Sequence, residues 1–190
     1  MDLVSSVALG VCLSAACGFR VFIPLLVMSV AGLAGYFTPA EELSWVATWP
    51  ALTLFGVATI VEILGYYIPW IDNVLDSIAT PAALIAGALA SASVLGDFPP
   101  IFQWTLAIVA GAGSAGIVQA ATVFLRGASS AFTGGFGNFS VATLEGLLSL
   151  LTAVFALIVP LITLFAIVLL GVYVWRFVRR RKKARMAGGL

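Results

Sequence analysis

The chain has 190 residues, 62% of them hydrophobic and 9% charged, with a mean hydropathy of +1.16. A soluble domain is about half apolar and about a quarter charged, so this composition excludes a soluble enzyme and reads as an integral membrane protein. With no His and only two Cys, Cys12 and Cys17, nothing has the spacing of a zinc, haem or iron–sulfur site, and no cofactor or metal is expected.

Hydropathy divides the chain into five apolar blocks. Residues 3–36 form the first, interrupted by Gly18, Arg20 and Pro24. Leu13-Ser14-Ala15-Ala16-Cys17 looks like a lipoprotein cleavage site, but Asp2 replaces the positive n-region and the apolar stretch runs past Cys17, so the segment reads as retained. Cys12 and Cys17, five apart on a helix, lie on different faces, and no disulfide is expected. The second block, 44–71, carries Glu62; the third is 78–96 and the fourth 98–125. The fifth, 139–178, is too long for one helix of about 20 residues, and Pro160 divides it. Trp45, Trp49, Trp70, Trp104 and Trp175 fall at the block edges, where an interfacial aromatic belt belongs.

The expected fold is therefore an all-α polytopic membrane protein. A single transmembrane domain over 1–175, with about six helices, precedes a basic tail over 176–190. That tail holds seven of the nine basic residues, Arg176, Arg179, Arg180, Arg181, Lys182, Lys183 and Arg185. It marks the C-terminus as cytoplasmic and reads as a topology anchor at the headgroups rather than a nucleic-acid site. An even number of crossings puts the N-terminus on the same side, the loop at Glu41 and Glu42 and the turn at Asp97 opposite, and Arg126 near the cytoplasmic side.

Shifting the sequence by 100 residues pairs Ser14-Ala15-Ala16 with Ser114-Ala115-Gly116, Leu25 with Leu125 and Ser29 with Ser129. Repeat units over 3–96 and 98–178 would each hold three crossings and so be inverted in the bilayer. Both units start with a long, small-residue-rich segment, 3–36 and 105–135. Each reads either as tight helix packing or as a broken or re-entrant helix lining a cavity.

Charges inside apolar sequence are the strongest local signal. An ionisable residue at mid-span costs about 2.5 to 3.5 kcal/mol, so Arg20 and Glu62 must face protein, water or each other. They form either a structural pair or the lining of a polar cavity. Asp72 and Asp76, at i and i+4, share a helix face and read as a proton or cation site or as turn and cap groups before Thr80-Pro81. The polar stretch from Arg126 through Ser129, Ser130, Thr133 and Asn138, with Glu145 beyond, reads as an anion cradle rich in glycine or as a plain loop.

Taken together, Gly18-Phe19-Arg20-Val21-Phe22-Ile23-Pro24, the series Glu62, Pro69, Asp72, Asp76, Pro81, and Ser129-Ser130 to Asn138 followed by Glu145 resemble the uncharacterised bacterial membrane family called domain of unknown function four-one-two-six. The resemblance spans about residues 5 to 160. Gly146 stands where that pattern carries a second acid. The resemblance implies that these polar positions form one site in a bacterial inner membrane; it implies no activity. Arg20-Val21-Phe22-Ile23-Pro24 is also similar to an element of the DedA family, which keeps an anionic lipid among the ligands.

The function expected from these residues is a small transporter rather than an enzyme. Arg20, Arg126, Ser129, Ser130, Thr133 and Asn138 would bind an anionic small molecule or headgroup, and Glu62, Asp72, Asp76 and Glu145 would couple protons or a cation. Its partners would be membrane lipids and a second copy of the chain, with no nucleic acid. The alternatives are a lipid-phosphate translocator or a structural or assembly protein, the latter requiring Arg20 and Glu62 to pair directly with no cavity.

Overall fold

A chain with so few polar side chains has to satisfy its backbone N–H and C=O groups within each segment, which favours helices wherever lipid replaces water. A computed structural model describes the backbone of residues 2–68, 71–134 and 136–187, and their side chains except those of 72, 73, 174, 175, 177, 178 and 180–187. Among the described residues every regular element is helical: α1 (Leu3–Phe19), α2 (Phe22–Leu33), a 3-10 helix (Glu41–Ala47), α3 (Trp49–Tyr66), α4 (Ile71–Ser93), α5 (Pro100–Leu106), a π-helical turn (Ala107–Ala112), α6 (Gly113–Thr133), α7 (Asn138–Ile158) and α8 (Pro160–Ala187). Four stretches are long and apolar enough to span a bilayer: Trp49–Tyr66, Val74–Ser93, Pro100–Thr133 and Asn138–Ile158. The protein is an α-helical membrane protein.

The first apolar block is a helical hairpin. Arg20, extended at φ −146° and ψ 130°, separates α1 from α2. Helix α7 runs beside both legs: Ser149 Oγ donates to Ala16 O of α1 at 2.9 Å, while Gly146 faces Ile23 of α2. At the far end, Ser6 and Leu9 of α1 line one cavity with Tyr36, Phe37 and Glu41, which follow α2, and with Asp97. The chain thus enters and leaves this block at the same end of the molecule, the end that carries Glu41 and Asp97. The sequence reading, which takes the block as one crossing, separates the N-terminus from those acids; the reversal at Arg20 reunites them. At 1.5 Å per residue the legs are about 25 and 18 Å long, shorter than a hydrocarbon core of about 30 Å.

Helix α1 sits in the middle of the bundle. Ala8, Leu9, Cys12, Leu13, Ala15, Ala16 and Cys17 are all buried, and both cysteines are free thiols. Small residues let α4 and α6 close on it. A Cβ on Gly87 would lie 2.6 Å from Ala115 Cβ, and one on Gly111 would lie 2.7 Å from Ser91 Cβ. Hydroxyls then bond carbonyls across the helix interfaces, as Ser14 Oγ does to Gly87 O at 2.6 Å, a common form of adhesion where lipid leaves no hydrophobic drive between helices. The outer faces are apolar, with Leu54, Val57, Ile60, Val61 and Leu64 of α3 all exposed.

Two boundaries agree with the sequence reading and one does not. Helix α7 ends at Ile158 and α8 starts at Pro160, and the exposed Trp49 opens α3, with Trp45 just before it and Trp104 in the second turn of the stretch from Pro100. The segment expected to break, 105–135, is by contrast unbroken helix as far as Thr133. Pro100–Thr133 is one continuous helical stretch: the π-turn takes in Gly111, and Gly113 and Gly116 belong to α6, since a wider turn keeps backbone groups bonded without an interruption.

Candidate functional site

Each long helix buries one stripe of side chains, and the stripes turn polar at the same level. On α3 the buried face reads Ala51, Phe55, Thr59, Glu62, Tyr66. On α6 it reads Ala115, Gln119, Thr122, Arg126, and on α7 Asn138, Ala142, Glu145, Ser149. These three- and four-residue spacings place each set on one helical face. Arg20 enters at the tip of the hairpin. Seven residues separate Arg126 from the end of α6 and Glu145 from the start of α7, so the level lies about 10 Å inside the helix ends.

Glu62 does not pair with Arg20 through any ion contact seen among the described residues. Its carboxylate instead accepts two backbone N–H groups, Val21 N at Oε1 (2.9 Å) and Phe22 N at Oε2 (3.1 Å). These are orphan donors at the start of α2, where Val21 supplies no side-chain cap. Pro24 occupies the same first turn, where a missing N–H costs nothing. A carboxylate from one helix thus caps the next, favoured both by hydrogen bonding and by the helix dipole.

Arg126 is fully engaged. Its Nε donates to Glu145 Oε1 at 3.2 Å, Nη2 donates to Glu145 Oε2, and Nη1 donates to Asp76 Oδ1 at 2.6 Å. Arg20 is engaged at one end only. Its Nη2 donates to Ala142 O at 3.0 Å and lies 3.5 Å from Glu145 Oε2, while Nε and Nη1 have no hydrogen-bond partner among the described residues. Arg20 is nonetheless 2% exposed. The ring of Tyr66 separates the two arginines, with Arg20 Cζ 3.7 Å and Arg126 Cζ 3.9 Å from its centroid.

A groove of about 370 Å³ between α2, α3 and α7 reaches this level. Arg20 and Thr59 line it together with Ile23, Leu26, Ile63, Leu147 and Leu150, among others. Thr59 Oγ1, like the free end of Arg20, is buried without a partner among the described residues. Tyr67 and Thr143, which also line the groove, bond to each other at 3.1 Å and tie α3 to α7.

Of the residues expected from the sequence, Arg20, Glu62, Asp76, Arg126 and Glu145 converge here. Ser129, Ser130, Thr133 and Asn138 lie instead around the α6–α7 turn. Asn138 Nδ2 donates to Ser130 Oγ at 2.9 Å, and Thr133 Oγ1 accepts from Gly137 N at 2.9 Å. Residues 126–133 are helical, so their backbone N–H groups serve α6 rather than a cradle, and the left-handed Gly134 (φ 62°) ends the helix. The side chain of Asp72, like Pro69 and Trp70, lies outside the described residues. Tyr66 and Thr59 escaped the sequence reading; their signal was the i+4 and i−3 spacing from Glu62.

The family described as Domain of unknown function (DUF4126) matches residues 7–180. The chain belongs to that family. No curated protein and no solved structure matches it. The membership covers every residue of the cluster, from Arg20 at the hairpin tip to Glu145 on α7, and assigns none of them a role.

Proposed function

We propose that the protein is a small membrane transporter for an anionic solute or headgroup, coupled to protons or a cation. The observation that carries this reading is Arg20. It is buried and charged, has unused N–H donors, and borders a groove large enough for a ligand, as sites of about 300 to 1,000 Å³ generally are. A cation whose only task is to pin helices is expected to have its donors satisfied, since a buried unpaired group costs stability. Arg126 meets that description, and in this reading it is the positioning group that holds Glu145 in place.

The coupling step rests on charge balance. Three carboxylates, Glu62, Asp76 and Glu145, face two guanidinium groups at one level, so full ionisation leaves a net negative charge in a low-dielectric region. A bound proton or small cation neutralises it when no substrate is present. Glu62 links that event to a moving part, because loss of its charge weakens the cap on α2. The hairpin of α1 and α2 then serves as the mobile element, entering and leaving the bilayer on one side, and inverted halves are not required. A bacterial inner membrane, with the basic tail cytoplasmic and two copies working together, is the setting that goes with this reading.

The test is flux into proteoliposomes across a panel of organic and inorganic anions, for the natural chain, Arg20→Ala and Glu62→Gln. Uptake of at least one anion is expected, abolished in Arg20→Ala and insensitive to a pH gradient in Glu62→Gln. Uptake that survives both substitutions unchanged would overturn the proposal.

A further inference from the structure

The groove beside Arg20 is built unlike a path for a water-soluble ion. Ile23, Leu26, Val27, Ile63, Leu147 and Leu150 make up most of its wall. Leu147 and Leu150 are about half exposed on the outer, apolar surface of α7, so the groove opens sideways, where acyl chains surround the protein. Its few polar groups are Arg20, Thr59, Tyr67 and Thr143. Tyr67 and Thr143 meet at one end, Thr59 stands about two helical turns from Tyr67 along α3, and from Arg20 α2 carries Ile23, Leu26 and Val27 away along the wall.

We propose that this groove binds an anionic phospholipid, with the phosphate at Arg20 and Thr59 and an acyl chain along α2 and α7. This rests on the transporter reading and narrows its substrate to an amphiphile. Charge and shape both support it. The free end of Arg20 offers the hydrogens of Nε and Nη1, and Thr59 adds a hydroxyl. All are buried and without partners among the described residues, a donor set suited to the several acceptor oxygens of a phosphate. The level of Arg20, about 10 Å inside the helix ends, draws the headgroup below its ordinary depth, while the apolar wall beyond it continues toward the bilayer centre. The Tyr67–Thr143 bond ties α3 to α7 at one end of the groove.

Two substitutions probe the groove without touching the ion cluster. A Cβ on Gly146 would meet only Ile23 Cδ1, at 3.9 Å, so Gly146→Leu fills the space without forcing the backbone. Thr59→Val removes a hydroxyl that has no partner among the described residues, a change that is close to neutral for folding. The purified natural chain and both variants are incubated in detergent with phosphatidic acid, phosphatidylcholine or inorganic phosphate, and bound lipid is counted by native mass spectrometry. Phosphatidic acid is expected to bind the natural chain at least about tenfold more tightly than phosphatidylcholine, with a loss of about tenfold in each variant. Equal retention of the two lipids, or variants that bind like the natural chain, overturns the proposal.

Inorganic phosphate separates the two readings. If it displaces the lipid, and Arg20-dependent phosphate flux persists in Gly146→Leu, the lipid assignment falls and the transporter stands. If phosphatidic acid binds as expected and no anion or lipid is moved, the site stands and the transporter falls.

Discussion

Glu62 Oε1 accepts the backbone N–H of Val21 at 2.9 Å across a helix boundary, so the start of α2 is held by a residue 41 positions away. Glu62→Gln keeps the shape but leaves one acceptor for two donors, Val21 N and Phe22 N. The variant is expected to lose about 1 to 3 kcal/mol and to exchange its Val21 and Phe22 amides faster than the natural chain. Unchanged protection at both amides would show that the cap does not hold the hairpin.

Tyr66 places one ring between two guanidinium groups, a contact that gains strength away from water. Tyr66→Phe keeps the ring and is expected to fold. Tyr66→Leu keeps apolar bulk but removes the π-face, leaving Arg20 and Arg126 to repel across the gap. Denaturant unfolding in detergent is expected to find Tyr66→Leu less stable than Tyr66→Phe by about 2 kcal/mol. Equal stability would reduce the ring to a spacer.

The cluster was legible in the sequence because a charge in an apolar span has few places to go. Arg20 and Glu62 had to face inward, inward faces of packed helices meet, and the family resemblance groups Arg126 and Glu145 with them. Their pairing was not legible. Glu62 finds backbone rather than Arg20, because the chain reverses at Arg20 and exposes the first N–H groups of α2, and hydropathy over 3–36 does not distinguish a hairpin from one interrupted crossing. Tyr66 was missed because a tyrosine at the end of an apolar block resembles an interfacial anchor. The stretch from Arg126 to Thr133 looked like a loop by its Gly and Ser content, yet one Gly in a helix costs only about 1 kcal/mol, and the ion pairs of Arg126 lie on the helical face that continuation provides.

Glu145 contacts both arginines, whereas Arg126 also has Asp76. Removing the shared carboxylate leaves two buried cations short of a partner. Glu145→Gln is therefore expected to cost about 3 to 5 kcal/mol, the loss of a buried partner. Adding Arg126→Met to Glu145→Gln is expected to recover part of the loss, with a coupling of more than about 1 kcal/mol in the double-mutant cycle. Strict additivity would mean that the pair contributes nothing as a pair.

Glycines on the same chain are expected to respond in opposite directions, depending on what faces them. Gly87 meets Ala115 Cβ at 2.6 Å and Gly111 O at 3.2 Å, so the added methyl of Gly87→Ala has to push α6 away from α1 and α4. Overpacking of this kind costs about 1 to 3 kcal/mol. Gly127, also helical, has nothing within 4 Å of the same methyl, and Gly127→Ala gains helix propensity of about 0.5 to 1 kcal/mol. Thermal unfolding in detergent is expected to place Gly87→Ala below the natural chain and Gly127→Ala above it. A Gly87→Ala protein as stable as the natural one would mean that the three central helices do not approach as closely as the small residues allow.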